Sequence, residues 1–171
     1  LAEVEDIYRP YKQKKRTRAT IAKERGLSGL ASIISLQMTK KTLEDEAKSY
    51  IDAEKDVPDT DTAISGALDI IAEEISDSAD YRTKIRSLTF KDGNLTSVAK
   101  DPEAESVYEM YYNFSSPVSK LTGYRVLAIN RGEKEKVLTV KLEAPVDKIL
   151  AYLEKQVIVR DNPNTTPYLK T

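Results

Sequence analysis

Between Asp59 and Asp77 the large apolar residues fall on a single stripe. Ile64, Leu68, Ile71 and Ile75 recur at i, i+4, i+7 and i+11, with Ala67 and Ala72 beside them. That is the repeat of an α-helix with one face turned to a core. Pro58 stands just upstream, and Asp59 or Thr60 offers a side-chain oxygen to cap the first turn. This helix is the most sharply defined element of the chain.

The remaining elements are short. Leu1 to Tyr8 reads as the end of a helix stopped by Pro10, followed by a basic connector from Arg9 to Arg18. Thr20 to Arg25 gives a helical turn closed by Gly26, and Leu27, Leu30, Ala31 and Ile34 restart a helix with Ser28 as its cap. Leu43, Ala47, Tyr50 and Ile51 form another helical stripe, as do Tyr81, Ile85 and Leu88. Asp92-Gly93-Asn94 is turn chemistry, and Leu95 to Lys100 is extended. Pro102 opens a helix with Val107, Tyr111 and Phe114 on one face, and Ser115 or Ser116 before Pro117 marks a further helix start. Thr122 leads into a helix from Tyr124 to Arg131, ended by Gly132. Leu138, Val140 and Leu142 alternate within Val137 to Glu143, which reads as a strand whose best partner is Leu95 to Lys100. Pro145 ends it, and Val146, Ile149, Leu150, Leu153 and Val157 make the last helix. The expected fold is mainly α: a multi-helical domain over residues 1–160, with a two-stranded antiparallel β-ribbon (95–100 with 137–143). Residues 161–171, with Pro163 and Pro167, are expected to be a linker.

Residue types missing from the chain narrow its chemistry. Its 171 residues include no cysteine and no histidine. Disulfides, thiolate nucleophiles, Ser-His-Asp triads and His- or Cys-ligated metals are therefore excluded. The 6 glycines are scattered, so no phosphate loop exists. Asp56, Asp59 and Asp61 lack the order of a calcium loop and are better suited to capping the helix that follows. Paired carboxylates with Mg²⁺ remain as a hydrolase reading, but no spacing favours them. No catalytic residue and no cofactor are expected. No apolar run reaches the roughly 18 residues of a membrane span, and a cytoplasmic location is the default. Because the chain opens on Leu1 within an amphipathic pattern, it is expected to be part of a longer protein.

One segment has a pronounced electrostatic character. From Arg9 to Arg25 there are eight basic residues and one acid, Glu24, a net charge of +7. Such a cluster releases counterions when it meets phosphates, the main sequence-independent drive in nucleic-acid binding. Lys12, Lys14, Lys15, Arg16 and Arg18 are the candidate phosphate contacts, with Lys23 and Arg25 supporting them. Thr17 and Thr20 add hydroxyl donors, and Tyr11 adds a stacking face. The competing reading is a basic arm docked on the protein's own acids. Between Lys55 and Arg82 there is no base, but eight acids: Asp56, Asp59, Asp61, Asp69, Glu73, Glu74, Asp77 and Asp80. Arg125 and Arg131 face the same choice, with pairing to those acids preferred over phosphate. Tyr108, Tyr111 and Tyr112 fit a core better than a base-stacking platform.

Two stretches carry a family resemblance. The run Ile7-Tyr8-Arg9-Pro10-Tyr11-Lys12-Gln13-Lys14-Lys15-Arg16-Thr17-Arg18, continuing to Leu27, resembles the signature of the bacterial Tex proteins, transcription accessory proteins. Arg125-Val126-Leu127-Ala128-Ile129-Asn130-Arg131-Gly132-Glu133-Lys134 is similar to a second family stretch, and Ala63 to Ile75 fits the family's acidic helix. Tyr124 departs from the pattern, where a His is expected. The resemblance implies part of the helical N-terminal region of a multi-domain protein. It also implies a downstream RNase-H-like domain, helix-hairpin-helix modules and an OB-fold that carries most of the RNA binding. The expected partners are thus RNA or DNA, the transcription machinery and the protein's own downstream domains, with no membrane. The expected role is a non-catalytic scaffold that touches nucleic-acid backbone through the basic connector. The alternative is a packing or protein-interaction module without such contact.

Overall fold

A computed structural model describes residues 16–171. The chain forms two compact units: one runs to Thr83 and resumes over Ala151–Thr171, and the other is Lys84–Leu150. It is mainly helical, with a small antiparallel sheet in the second unit.

The first unit is built on the long helix. Among the short elements before it are α1 (Arg18–Glu24), α2 (Ser28–Leu36), α3 (Leu43–Ala47) and a 3₁₀ turn at Lys48–Tyr50. All four lie against α4 (Thr60–Asp77). Ala63, Ile64, Ala67, Ile70 and Ile71 of α4 are buried against Ala19, Ala22, Leu27, Leu30, Ile34 and Leu43. Each fully buried Leu or Ile contributes roughly 1.5–3 kcal/mol. The approach of α1 to α4 depends on Gly66, where a Cβ would sit 2.4 Å from Leu27 Cδ1 and 3.3 Å from the Ala22 Cβ. Gly26 ends α1 with a φ of +77°, and the Leu27 amide bonds the Ala22 carbonyl across the turn. Ser28 is not the cap of α2. Leu27 holds that position without a side-chain bond, because the chain turns directly from one helix into the next. The tail contains α8 (Thr166–Lys170), whose Tyr168 and Leu169 pack on this core.

The chain enters the second unit within α5 (Ala79–Asp92) and leaves it within α7 (Val146–Val157). Between them lie β1 (Asn94–Ala99), β2 (Asn113–Pro117), α6 (Gly123–Lys134) and β3 (Leu138–Glu143). β1 and β3 pair as the sequence predicts, with Leu95 opposite Leu142 and Ala99 opposite Leu138. The ribbon is nevertheless a three-stranded sheet of order β2-β1-β3, with Leu95 opposite Ser116 and Ser97 opposite Phe114. The helix expected from Pro102 is absent. Turns and one 3₁₀ turn (Glu109–Tyr111) occupy that stretch, and Val107 is 85% exposed. Ser115 and Ser116, expected to start a helix, belong to β2, which satisfies the second edge of β1, and only a 3₁₀ turn (Val118–Lys120) follows Pro117. Gly132 does not end α6 either. It lies two residues inside the helix, where a Cβ would come within 2.4 Å of Leu138 Cδ1. Tyr108, Tyr111, Ile129 and Leu138 are buried together, with Tyr112 and Phe114 packed on them, so these aromatics are core.

Candidate functional site

Of the basic cluster, Lys12, Lys14 and Lys15 lie outside the described residues. Arg16, Arg18, Lys23 and Arg25 are arranged by α1. Thr17 caps this helix by accepting the Thr20 amide at 3.2 Å, which fixes Arg16 before the first turn and Arg18 at its start. Burial of Ala19 and Ala22 against α4 turns the charged positions outward. Lys23 is exposed, and Arg25 is half-buried beside a shallow groove that Arg18, Asp61, Ser65, Gly66 and Asp69 also line.

The electrostatics of this face are mixed. Arg16 pairs with Glu24 at 2.8 Å, both side chains being more than half exposed. Arg18 meets Asp69 at 3.9 Å while 86% of its side chain stays exposed. The Thr17 hydroxyl donates to Glu73 Oε1 at 3.0 Å, so it is committed within the molecule rather than presented as a free phosphate donor. Exposed ion pairs of this kind are weak and are screened by salt.

Arg125 and Arg131 sit on α6. The Arg125 guanidinium lies 5.7 Å from the centre of the Phe114 ring, and its Nε donates to the Tyr124 hydroxyl at 3.4 Å. These contacts are with aromatic residues of its own unit. Hydrogen bonds from Arg125 and Thr122, together with the charge of Arg125, hold the Tyr124 phenol below its ordinary pKa.

One polar residue escaped the sequence reasoning. Gln37 ends α2 with a φ of +56° and is 3% exposed. Its Nε2 donates to the Val157 carbonyl at 2.7 Å, and its Oε1 accepts the Val159 and Arg160 amides at 3.1 and 3.2 Å. Asn162 Nδ2 in turn donates to the carbonyls of Gln37 and Thr39. No spacing in the sequence signals this clamp, because its partners are some 120 residues apart.

The sequence of this scaffold matches a described protein family. The family model for the Tex central region-like domain covers residues 39–162. Among curated relatives, YdcI of Bacillus subtilis is 50% identical over 161 residues, 92% of this chain and 22% of its own length. The transcriptional accessory protein Tex of Neisseria gonorrhoeae is 32% identical over 146 residues, 84% of this chain and 19% of its own. The S1 RNA-binding domain-containing protein 1 of Homo sapiens is 31% identical over 150 residues, 82% of this chain and 15% of its own. The chain belongs to the Tex family and carries its central region-like domain. It spans about a fifth of the length of the curated relatives it matches. Among the described residues, no helix is long and apolar enough to cross a membrane.

Proposed function

We propose that this chain is a non-catalytic scaffold region of a transcription accessory protein that touches nucleic-acid backbone through its basic connector. The contacts are assigned to Lys12, Lys14, Lys15, Arg16 and Arg18, with Lys23 and Arg25 behind them. The supporting observation is Arg18: it is anchored at a helix start, 86% exposed, and held by Asp69 only at 3.9 Å. A polyanion competes readily with so loose a partner. The name of the gonococcal relative speaks of transcription and that of the human relative of RNA binding. In a full-length protein the location is cytoplasmic and the further partners are the transcription machinery and downstream domains.

The test is binding of single- and double-stranded oligonucleotides across a salt series. Replacing Lys14, Lys15, Arg16 and Arg18 together by Ala should weaken binding at low salt. It should also flatten the log–log salt slope by about 0.7 per lost contact on single strands and 0.9 on duplex. Asp69→Asn, which releases Arg18, should tighten binding. An unchanged slope in the quadruple variant rejects the proposal.

A second reading, a packing or protein-interaction module without nucleic-acid contact, is favoured by one observation. The Thr17–Glu73 hydrogen bond docks the described end of the arm on the acidic helix α4 of the same unit. On that reading Glu73→Gln and Asp69→Asn lower the melting temperature and leave oligonucleotide binding unmoved.

A further inference from the structure

The stretch Met110–Gly132 contains no acid and three bases, Lys120, Arg125 and Arg131, together with Tyr111, Tyr112, Phe114 and Tyr124. The fold gathers part of that set at one surface of the second unit. Tyr111 and Phe114 meet edge-on with ring centres 5.3 Å apart, and they belong to the core of that unit. Arg125 caps the Phe114 ring and reaches the Tyr124 hydroxyl. The guanidinium is thereby held beside the ring and half-buried, which lowers the entropy lost when it binds an anion. Tyr124 is 66% exposed, and Leu127, one turn further along α6, is 61% exposed. Arg131 follows at i+7 from Tyr124, on the same side of the helix and exposed, and Lys120 is exposed just before α6. Glu133 lies within α6, two residues past Arg131, and Glu135, just beyond the helix, is engaged by the Tyr108 hydroxyl, whose pKa it raises.

We infer that Tyr124 and Arg125 form a stacking site for a base of single-stranded nucleic acid, with Arg131 and Lys120 receiving the adjoining phosphates. An exposed aromatic ring beside a pinned arginine suits any base, because each base presents a π-face and each linkage carries a negative charge. The absence of acids from the whole segment provides the charge complementarity. Duplex is a poor occupant, since its bases are already stacked. The site is distinct from the basic connector and stands on its own residues.

The chain has no tryptophan, so Tyr124→Trp introduces a single fluorescent reporter at the site. Titrating that variant with a single-stranded oligothymidylate should quench its emission saturably, and duplex of equal length should quench far less. By anisotropy of a labelled oligonucleotide, Tyr124→Phe, which keeps the ring but removes the hydroxyl that Arg125 Nε reaches, should weaken binding less than Tyr124→Ala does. Tyr124→Ala should bind about 5- to 150-fold more weakly, the range for losing one base stack. Arg125→Ala should weaken binding as well, and circular dichroism of each variant shows whether the fold survives. Lys14→Ala with Arg16→Ala should lower affinity without abolishing the quench, which separates this site from the connector. Absence of quenching, or equal affinity in folded Tyr124→Ala, overturns the inference. So does quenching only by an acidic peptide.

Discussion

At the scale of the residue, the Asp59 carboxylate accepts the Thr62 amide at 2.8 Å at the N-terminus of α4. That backbone hydrogen bond, then the Thr62 hydroxyl, hold its pKa below the ordinary aspartate value. The ionised form is thus favoured by folding. Its stabilisation is complete above the unfolded pKa of about 3.9 and is lost as pH falls through the lower folded value. Thermal melts on the acid side should show Asp59→Asn keeping the cap but losing this pH dependence. Asp59→Ala should melt lower at every pH. Asp59 was legible in the sequence because capping is local. Thr17 was not: its hydroxyl looks equally suited to a phosphate until Glu73, 56 residues on, is placed beside it.

At the scale of the element, the clearest lesson lies in β2. Its five residues, Asn113 to Pro117, include a single large apolar side chain, Phe114, and no β-branched residue. Nothing in that composition announces a strand, whereas Val107, Tyr111 and Phe114 mimic a helical stripe. The strand exists because β1 has a second edge to satisfy, a demand set by tertiary structure alone. β1 and β3 were legible because alternation writes itself into β3. Gly132 misled for a related reason: a glycine near a helix end resembles a cap, and only the proximity of Leu138 shows it to be a packing position. The basic cluster was legible from charge. The Tyr124 surface was not, since it becomes a surface only when β2 brings Phe114 under α6. The segment after α7 depends on Gln37 in the same non-local way. Gln37→Ala would remove the acceptor of the Val159 and Arg160 amides, at a cost of about 0.5–1.5 kcal/mol per hydrogen bond. Hydrogen exchange should accelerate over residues 158–166 while α4 stays protected.

At the scale of the molecule, two separate cores imply two separable stabilities. Leu138 is fully buried in the second unit and Ile34 in the first. Truncating either to Ala should cost about 2–5 kcal/mol. Leu138→Ala should reduce exchange protection across β1, β3 and α6 and spare α4. Ile34→Ala should do the reverse. A single uniform loss in both variants would mean that the units melt as one.

The discontinuous layout also sets a timetable. The second unit is one unbroken run, Lys84–Leu150, whereas the first needs Tyr168 and Leu169 to cover its core and Val157 to engage Gln37. A ribosome delivers residues in order, at about 5–20 per second. The unit that is second in the chain is therefore the first whose parts have all emerged, while the α1–α4 cluster waits, incompletely covered, for residues 151–171. During that interval the greasy flank of α4 is the surface a nascent-chain chaperone would meet.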